Sequence, residues 1–257
     1  VLLLVLGGGE QEDAAEMPQL PSLNANIIVG NSVVREDFDD LVPMAAKDIN
    51  RRAAVKPLTP FGIHPGSKEG LKFDFLVCNP PYIRIQELSK FAADQLAYFQ
   101  HPKSGYECSQ GNSFDTYQVF VERALELVKK KGRIGMIIPN RFTTSLPAAP
   151  IRLQIGKRLE RMIHFRENQV FPGRLTYVAI VILGEGRDSS VEIRFVDDLE
   201  LWRKHKVAEC RQISRKELGP GPWPMATELQ AQLFRALESN AVARLGDPGW
   251  MNIFVGV

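Results

Sequence analysis

Asn79, Pro80, Pro81 and Tyr82 follow directly on the apolar run Phe75-Leu-Val-Cys78, and that order limits what they can do. Prolines cannot donate to a sheet ladder, so a strand ending here must stop at a rigid corner. The corner carries an amide at 79, which offers both donors and an acceptor, and an aromatic face at 82. Such a pair suits a flat, hydrogen-bonding group, with the amide at its edge and the ring against its face. The plainer alternative is a tight strand-to-loop turn, for which Asn-Pro is a common opener.

The rest of the chain must position that corner. With 257 residues, 44% hydrophobic and 24% charged, it has the composition of a globular protein large enough for one α/β domain or a domain with part of another. Net charge is only +2, but it is unevenly placed. Lys129 to Arg174 holds 11 Lys or Arg against Glu160 and Glu167, a local +9 that leaves −7 elsewhere. A basic stretch of this kind is an electrostatic footprint for an anionic partner. Cys78, Cys108 and Cys210 show no CxxC or Cys/His spacing and the histidines are scattered. Neither a disulfide framework nor a metal site is expected, and a reducing cytoplasm fits best. The opening VLLLVL is too short for a membrane span and lacks the basic flank of a signal peptide. A valine start and a stop at IFVGV read as a fragment at both ends.

Periodicity predicts strands over Ile27–Val29 and Phe73–Cys78, separated by a polar stretch, with 94–111 mostly loop. A helix is predicted over Phe114–Lys131, capped by Ser113 and stopped at Gly132. A strand over Arg133–Ile138, a helix over Pro150–Arg161 and a short strand over Met162–Phe165 follow. Tyr177–Leu183 and Val191–Val196 are expected to pair as a closing antiparallel hairpin across the turn segment Gly184–Ser190. Further helices are expected over 198–208 and 227–239, with a last strand near Ile253–Val257. Strands joined by helices argue an α/β fold with a mostly parallel sheet. Ligands of such sheets bind at the carboxyl ends of the strands. Gly30-Asn31, Asn79–Tyr82 and Pro139-Asn140 all fall there.

FDFLVCNPPYIR resembles the catalytic motif of the N6-adenine DNA methyltransferases, Asp/Asn-Pro-Pro-Tyr/Phe/Trp at the end of the fourth strand. GNSFDTYQVFVERALELVKKKGRIGMIIPNRF, VFPGRLTYVAIVIL and NIIVGNSVV are similar to further blocks of that family. They stand in the order of members with a C-terminal target-recognition domain, closest to single-chain restriction–modification enzymes of the type IIG kind. The resemblance implies a Rossmann-like, S-adenosylmethionine-dependent methyltransferase fold, incomplete at the N-terminus. Residues 1–23 are poorly defined, 24–196 form the catalytic part, and 197–257 lead toward a truncated recognition domain. Gly7-Gly8-Gly9 is rejected as the donor-binding glycine loop. The roughly 17 residues between it and Ile27 cannot hold two βα units, which places most of the donor site upstream.

The resemblance assigns catalysis to Asn79, Pro80, Pro81 and Tyr82, donor contact to the loop of Asn31 and base contact to Phe171; Asp115 is a further candidate for the donor site, and Arg174 and Arg141 of the basic run are candidates for DNA contact. In this scheme the Asn79 side-chain oxygen and the Pro80 carbonyl accept from the adenine amino group, and Tyr82 and Phe171 hold a flipped base. DNA is the expected partner, with nuclease and recognition modules in the same parent chain; no metal is implied. Arg152, Lys157, Arg158, Arg161 and Arg166 join Arg141 and Arg174 as candidates for phosphate contact. Structural alternatives stand beside each role. Tyr82 can cap the core edge, Phe171 can pack in the core, and Asn31 can cap a turn. Asp115 can charge a helix start, Cys78 can be a small buried apolar residue, and the basic run can be a solvated face. The same motif logic also serves protein-glutamine N5-methyltransferases, and a catalytically inactive DNA-binding fragment remains a third reading.

Overall fold

The computed structural model describes residues 29–56, 72–111, 113–173, 175–226 and 228–243. The expected strand at Ile27-Ile28, the Gly7–Gly9 loop, Arg174 and the last strand at Ile253–Val257 lie outside them. The chain divides into two compact units, Val1–Pro222 and Trp223–Val257. In the second, one helix spans Glu228–Asn240.

Among its described residues the first unit opens with three short helices, α1 (Phe38–Leu41), α2 (Pro43–Ala46) and α3 (Ile49–Val55). Asp48 caps α3 by accepting from Asn50 N and Arg51 N, the role for which a short carboxylate suits an N-cap. β1 (Phe73–Cys78) leads through the proline corner into α4 (Ile85–Phe91) and α5 (Ala93–Gln100). α5 replaces the loop expected over 94–111. Its Tyr98 and Phe99 are buried in a cluster with Val33, Val34, Phe38, Tyr106 and Phe114, and tertiary burial of two aromatics outweighs the weak local pattern.

α6 (Thr116–Leu127) runs into β2 (Val128–Pro139). Helix and strand meet four residues earlier than the sequence suggests, because Val128 is extended and pairs with Phe73. The lysines expected in a last helical turn occupy an irregularity in β2, where the register jumps from Phe73↔Val128 to Phe75↔Arg133. Asp115, not Ser113, holds the N-cap position, without a side-chain cap bond. α7 (Ala149–Arg158), β3 (Leu159–His164), β4 (Val178–Leu183), β5 (Ser190–Phe195), α8 (Leu199–His205) and β6 (Glu209–Ser214) complete the unit.

The six strands form one sheet in the order β1-β2-β4-β3-β5-β6. β1, β2, β3 and β5 point one way, and β4 and β6 run against them. The α/β expectation holds, with most strands codirectional. The hairpin does not. β4 pairs with β2 on one side and β3 on the other, so both of its edges are taken, and β5 instead lies parallel to β3. Nor does the sheet end at Val196: β6 pairs with β5 throughout its length, and Trp202 of α8 packs edge-on against Phe165 at 4.8 Å. Residues 197–222 thus belong to the same unit as the Asn79–Tyr82 corner.

β1 borders this sheet among the described residues. It is not the buried strand its composition suggests: Phe75 and Val77 are 72% and 69% exposed. Its partner side is secure, since Cys78↔Met136 is the last pair of a parallel ladder. The Asn79–Tyr82 corner and Pro139-Asn140 therefore emerge at the same carboxyl edge.

Candidate active site

Beyond Cys78 the chain offers prolines at 80 and 81, so no N–H from them reaches β2. Tyr82 folds back instead, and its hydroxyl lies 2.8 Å from the Ile137 carbonyl and 3.1 Å from Asn79 Oδ1. Burial raises the phenol to about 12, which keeps its proton in place at neutral pH. The ring is half-buried, meets Tyr117 edge-on at 6.5 Å, and packs in the cluster of Phe165, Val178 and Val196 that also holds Phe171. Pro80 is buried and Asn79 exposed.

The corner is held from its other side by the start of α6. Thr116 Oγ1 donates to the Pro81 carbonyl at 2.7 Å and accepts from Ile83 N at 3.1 Å. Thr116 N bonds Ile83 O and Ile85 N bonds Phe114 O. The FDT segment is thus a short antiparallel clamp on the residues flanking Tyr82. Sequence reasoning missed Thr116; its one signal is a buried hydroxyl beside Asp115 in a block otherwise read as helix start.

A cavity of about 150 Å³ opens at this edge, lined by Tyr82, Arg84, Asp115, Pro139, Asn140, Arg141, Leu175, Thr176 and Tyr177. Asp115 is half-buried. Burial raises its carboxyl above the ordinary value of 3.8, against the lowering pull of Arg141 and Arg84; Arg141 pairs with it at 3.5 Å. Asn140 is pinned by its backbone N–H to Tyr177 O and by its amide to Arg166 O. Gln118, buried in the first turns of α6, keeps its side-chain oxygen without a partner among the described residues. It faces a small polar recess shared with Ser113, Asp115, Arg141 and Ser145.

Of the residues expected at the site, Tyr82, Asp115 and Arg141 meet at the cavity, with Asn79 bonded to Tyr82 beside it. Phe171 shares a packing cluster with Tyr82 and does not line the cavity. Asn31 stands apart: its Oδ1 accepts from Val33 N at 3.2 Å, the turn-capping alternative. Arg152 is a correction. It is 1% exposed, and its guanidinium is given wholly to the carbonyls of Phe142, Ser145 and Pro220, so it cannot reach a phosphate. Arg158 bonds the Gly184 carbonyl, Arg161 pairs with Glu192, and Arg166 pairs with Asp197 and Glu209. The basic run meets acids brought from outside it by the fold.

Fold and site define an α/β protein with a polar cavity and a proline-locked Asn–Tyr pair at the carboxyl edge of its sheet. The sequence model of the Eco57I restriction-modification methylase family matches residues 20–171, more than half of the chain, and the chain belongs to that family. It is 30% identical over 235 residues to the Type II restriction enzyme and methyltransferase RM.Eco57I of Escherichia coli, covering 89% of this chain and 22% of that protein. It is 33% identical over 152 residues to the Type II methyltransferase M.XhoI of Xanthomonas vasicola, covering 58% of this chain and 24% of the relative. The chain thus spans less than a quarter of the length of either. Among solved structures, the type IIG restriction endonuclease BpuSI aligns with a TM-score of 0.44 and 15% identity, over 65% of this chain and 22% of that one. Among the described residues no helix is long and apolar enough to cross a membrane.

Proposed function

We propose that this chain is the catalytic part of a restriction–modification enzyme that methylates the exocyclic amino group of a flipped adenine in DNA. One observation carries the reading. The Asn79 amide and the Tyr82 ring are held together by a proline-rigid corner beside a polar cavity, in a member of a methylase family. The amino group of adenine is a poor nucleophile because its lone pair is delocalised into the ring. Acceptors aimed at its two N–H bonds favour the pyramidal form whose lone pair points at the methyl group. Asn79 Oδ1 and the Pro80 carbonyl take those places. This is positioning and electrostatic preorganisation, with no strong general base required. With the donor bound, the nitrogen would take its methyl as the donor leaves as a thioether, and the proton displaced from nitrogen would pass to solvent.

S-adenosylmethionine, the donor the family implies, supplies a sulfonium methyl. Of the two residues expected to contact it, Asp115 fits, as a half-buried carboxylate on the cavity wall. Asn31 accepts from Val33 N within its own turn, which leaves its Nδ2 hydrogens as the groups to offer a donor. The target atom is out of reach in a duplex, so the base must be extruded and stacked. Tyr82 provides one face and Phe171 is assigned the far side, at about 1–3 kcal/mol per stacked base. Arg141 and Arg174 are assigned to DNA contact, and recognition and nuclease modules to the remainder of the parent protein.

The test is to supply the full-length protein with radiolabelled donor, DNA and a protein substrate. Label is expected in DNA, and Asn79→Ala is expected to lower transfer by at least about a hundredfold while DNA binding stays within about twofold. Label in protein alone favours the glutamine N5 reading, and undiminished transfer by Asn79→Ala refutes the assignment of catalysis to the corner.

A further inference from the structure

Tyr82 Oη lies within hydrogen-bond distance of two acceptors, Ile137 O at 2.8 Å and Asn79 Oδ1 at 3.1 Å, yet a phenol has one hydrogen to give. Ile137 has the stronger claim. Its carbonyl sits one residue past the last β1–β2 pair, opposite a chain whose prolines cannot donate, and an unpaired backbone carbonyl in a half-buried setting is costly. With the hydrogen on Ile137 O, the phenol oxygen turns a lone pair toward the Asn79 amide. Two oxygens facing each other without a hydrogen repel. A half-turn of the amide replaces that repulsion with a bond from Nδ2 to Tyr82 Oη.

We infer that the Tyr82 hydroxyl is a positioning group that sets the rotamer of the Asn79 amide, holding Nδ2 toward itself and Oδ1 outward to the substrate amino group. Stacking alone needs no hydroxyl, and the family motif also accepts Phe or Trp at this place. In this chain the hydroxyl gives the ring a second task, linking β2 through Ile137 O and Tyr82 Oη to the Asn79 amide. The inference rests on the proposed adenine methylation for its catalytic consequence, while the amide orientation is a property of the protein alone.

Tyr82→Phe in the full-length protein keeps the ring and removes the relay. Its kcat is expected to fall by about tenfold, the worth of one neutral hydrogen bond. KM for DNA and the emission of 2-aminopurine at the target position should stay unchanged. An unchanged kcat overturns the inference. So does a fall in which KM and the fluorescence move in step with kcat, since the hydroxyl then only anchors the corner. A neutron structure of the wild-type protein reads the amide directly: deuterium on Nδ2 facing Tyr82 Oη supports it, and Oδ1 facing Tyr82 Oη sinks it. Wild-type protein that methylates no adenine defeats the proposed function, and the neutron map still decides the orientation.

Discussion

Thr116 bridges Pro81 O and Ile83 N with one hydroxyl, on either side of the ring that the site needs in place. Thr116→Val keeps the shape and leaves two part-buried backbone groups, Pro81 O and Ile83 N, without this partner. Stability should fall by roughly 2 kcal/mol, and kcat with it, whereas Thr116→Ser should restore both; calorimetry and single-turnover rates check this. Away from the site, His164 accepts from Arg166 N through Nδ1. Burial, helped by the Arg166 cation, lowers it from 6.5 to about 4. Between those values the unfolded chain binds a proton that the folded chain does not. Stability is therefore full above pH 6.5 and declines as the pH drops toward 4, by about 3 kcal/mol. His164→Asn should flatten that part of the pH–stability curve measured by urea unfolding; an unaltered curve contradicts the buried, neutral imidazole.

Several elements were readable in the chain because local pattern and tertiary role agree there. The apolar run Phe73–Cys78 became β1 residue for residue, stopped by the prolines as their chemistry demands. Its exposure was not readable, since Phe75 and Val77 look the same whether covered or bare. The corner's Asn79 and Tyr82 were legible from residue type alone. Their mutual bond and the Thr116 clamp were not, because both depend on where β2 and α6 come to lie. The hairpin failed for a related reason. A turn-rich stretch between two β-branched runs signals local pairing, and nothing local reveals that β3 has already occupied the edge of β4. α7 shows what such packing requires. A Cβ at Gly156 would run into the carbonyl of Leu218, and neighbouring Arg152 and Arg215 tie the 215–220 segment to α7 through the Pro220 and Gly156 carbonyls. Gly156→Ala should cost on the order of 2–3 kcal/mol by overpacking, seen as a lowered melting temperature. A neutral effect would show that this segment is not seated on α7.

At the scale of the whole unit, the local surplus of positive charge in the sequence is redistributed by folding. Lys129 pairs with Asp74, Arg161 with Glu192 and Arg166 with Asp197, while Arg152 serves the interior. Arg141, 52% exposed at the cavity rim beside Asp115, is placed to meet an anion. Salt titrations of DNA affinity should separate the two arginines. Arg141→Ala is expected to reduce the slope of log K against log[salt] by about 1. Arg152→Met should leave the slope alone and lower stability instead. Equal slopes for wild type and Arg141→Ala would remove Arg141 from the DNA-facing surface.

The central claim is that an amide and a phenol on a proline-locked corner direct a methyl group onto the amino nitrogen of adenine. Nucleoside mass spectrometry of DNA treated with the full-length protein and donor tests it most directly. N6-methyldeoxyadenosine should accumulate with the wild type and be absent with Asn79→Ala. Methylated cytosine in its place, or N6-methyldeoxyadenosine formed equally by the Asn79→Ala protein, would contradict it.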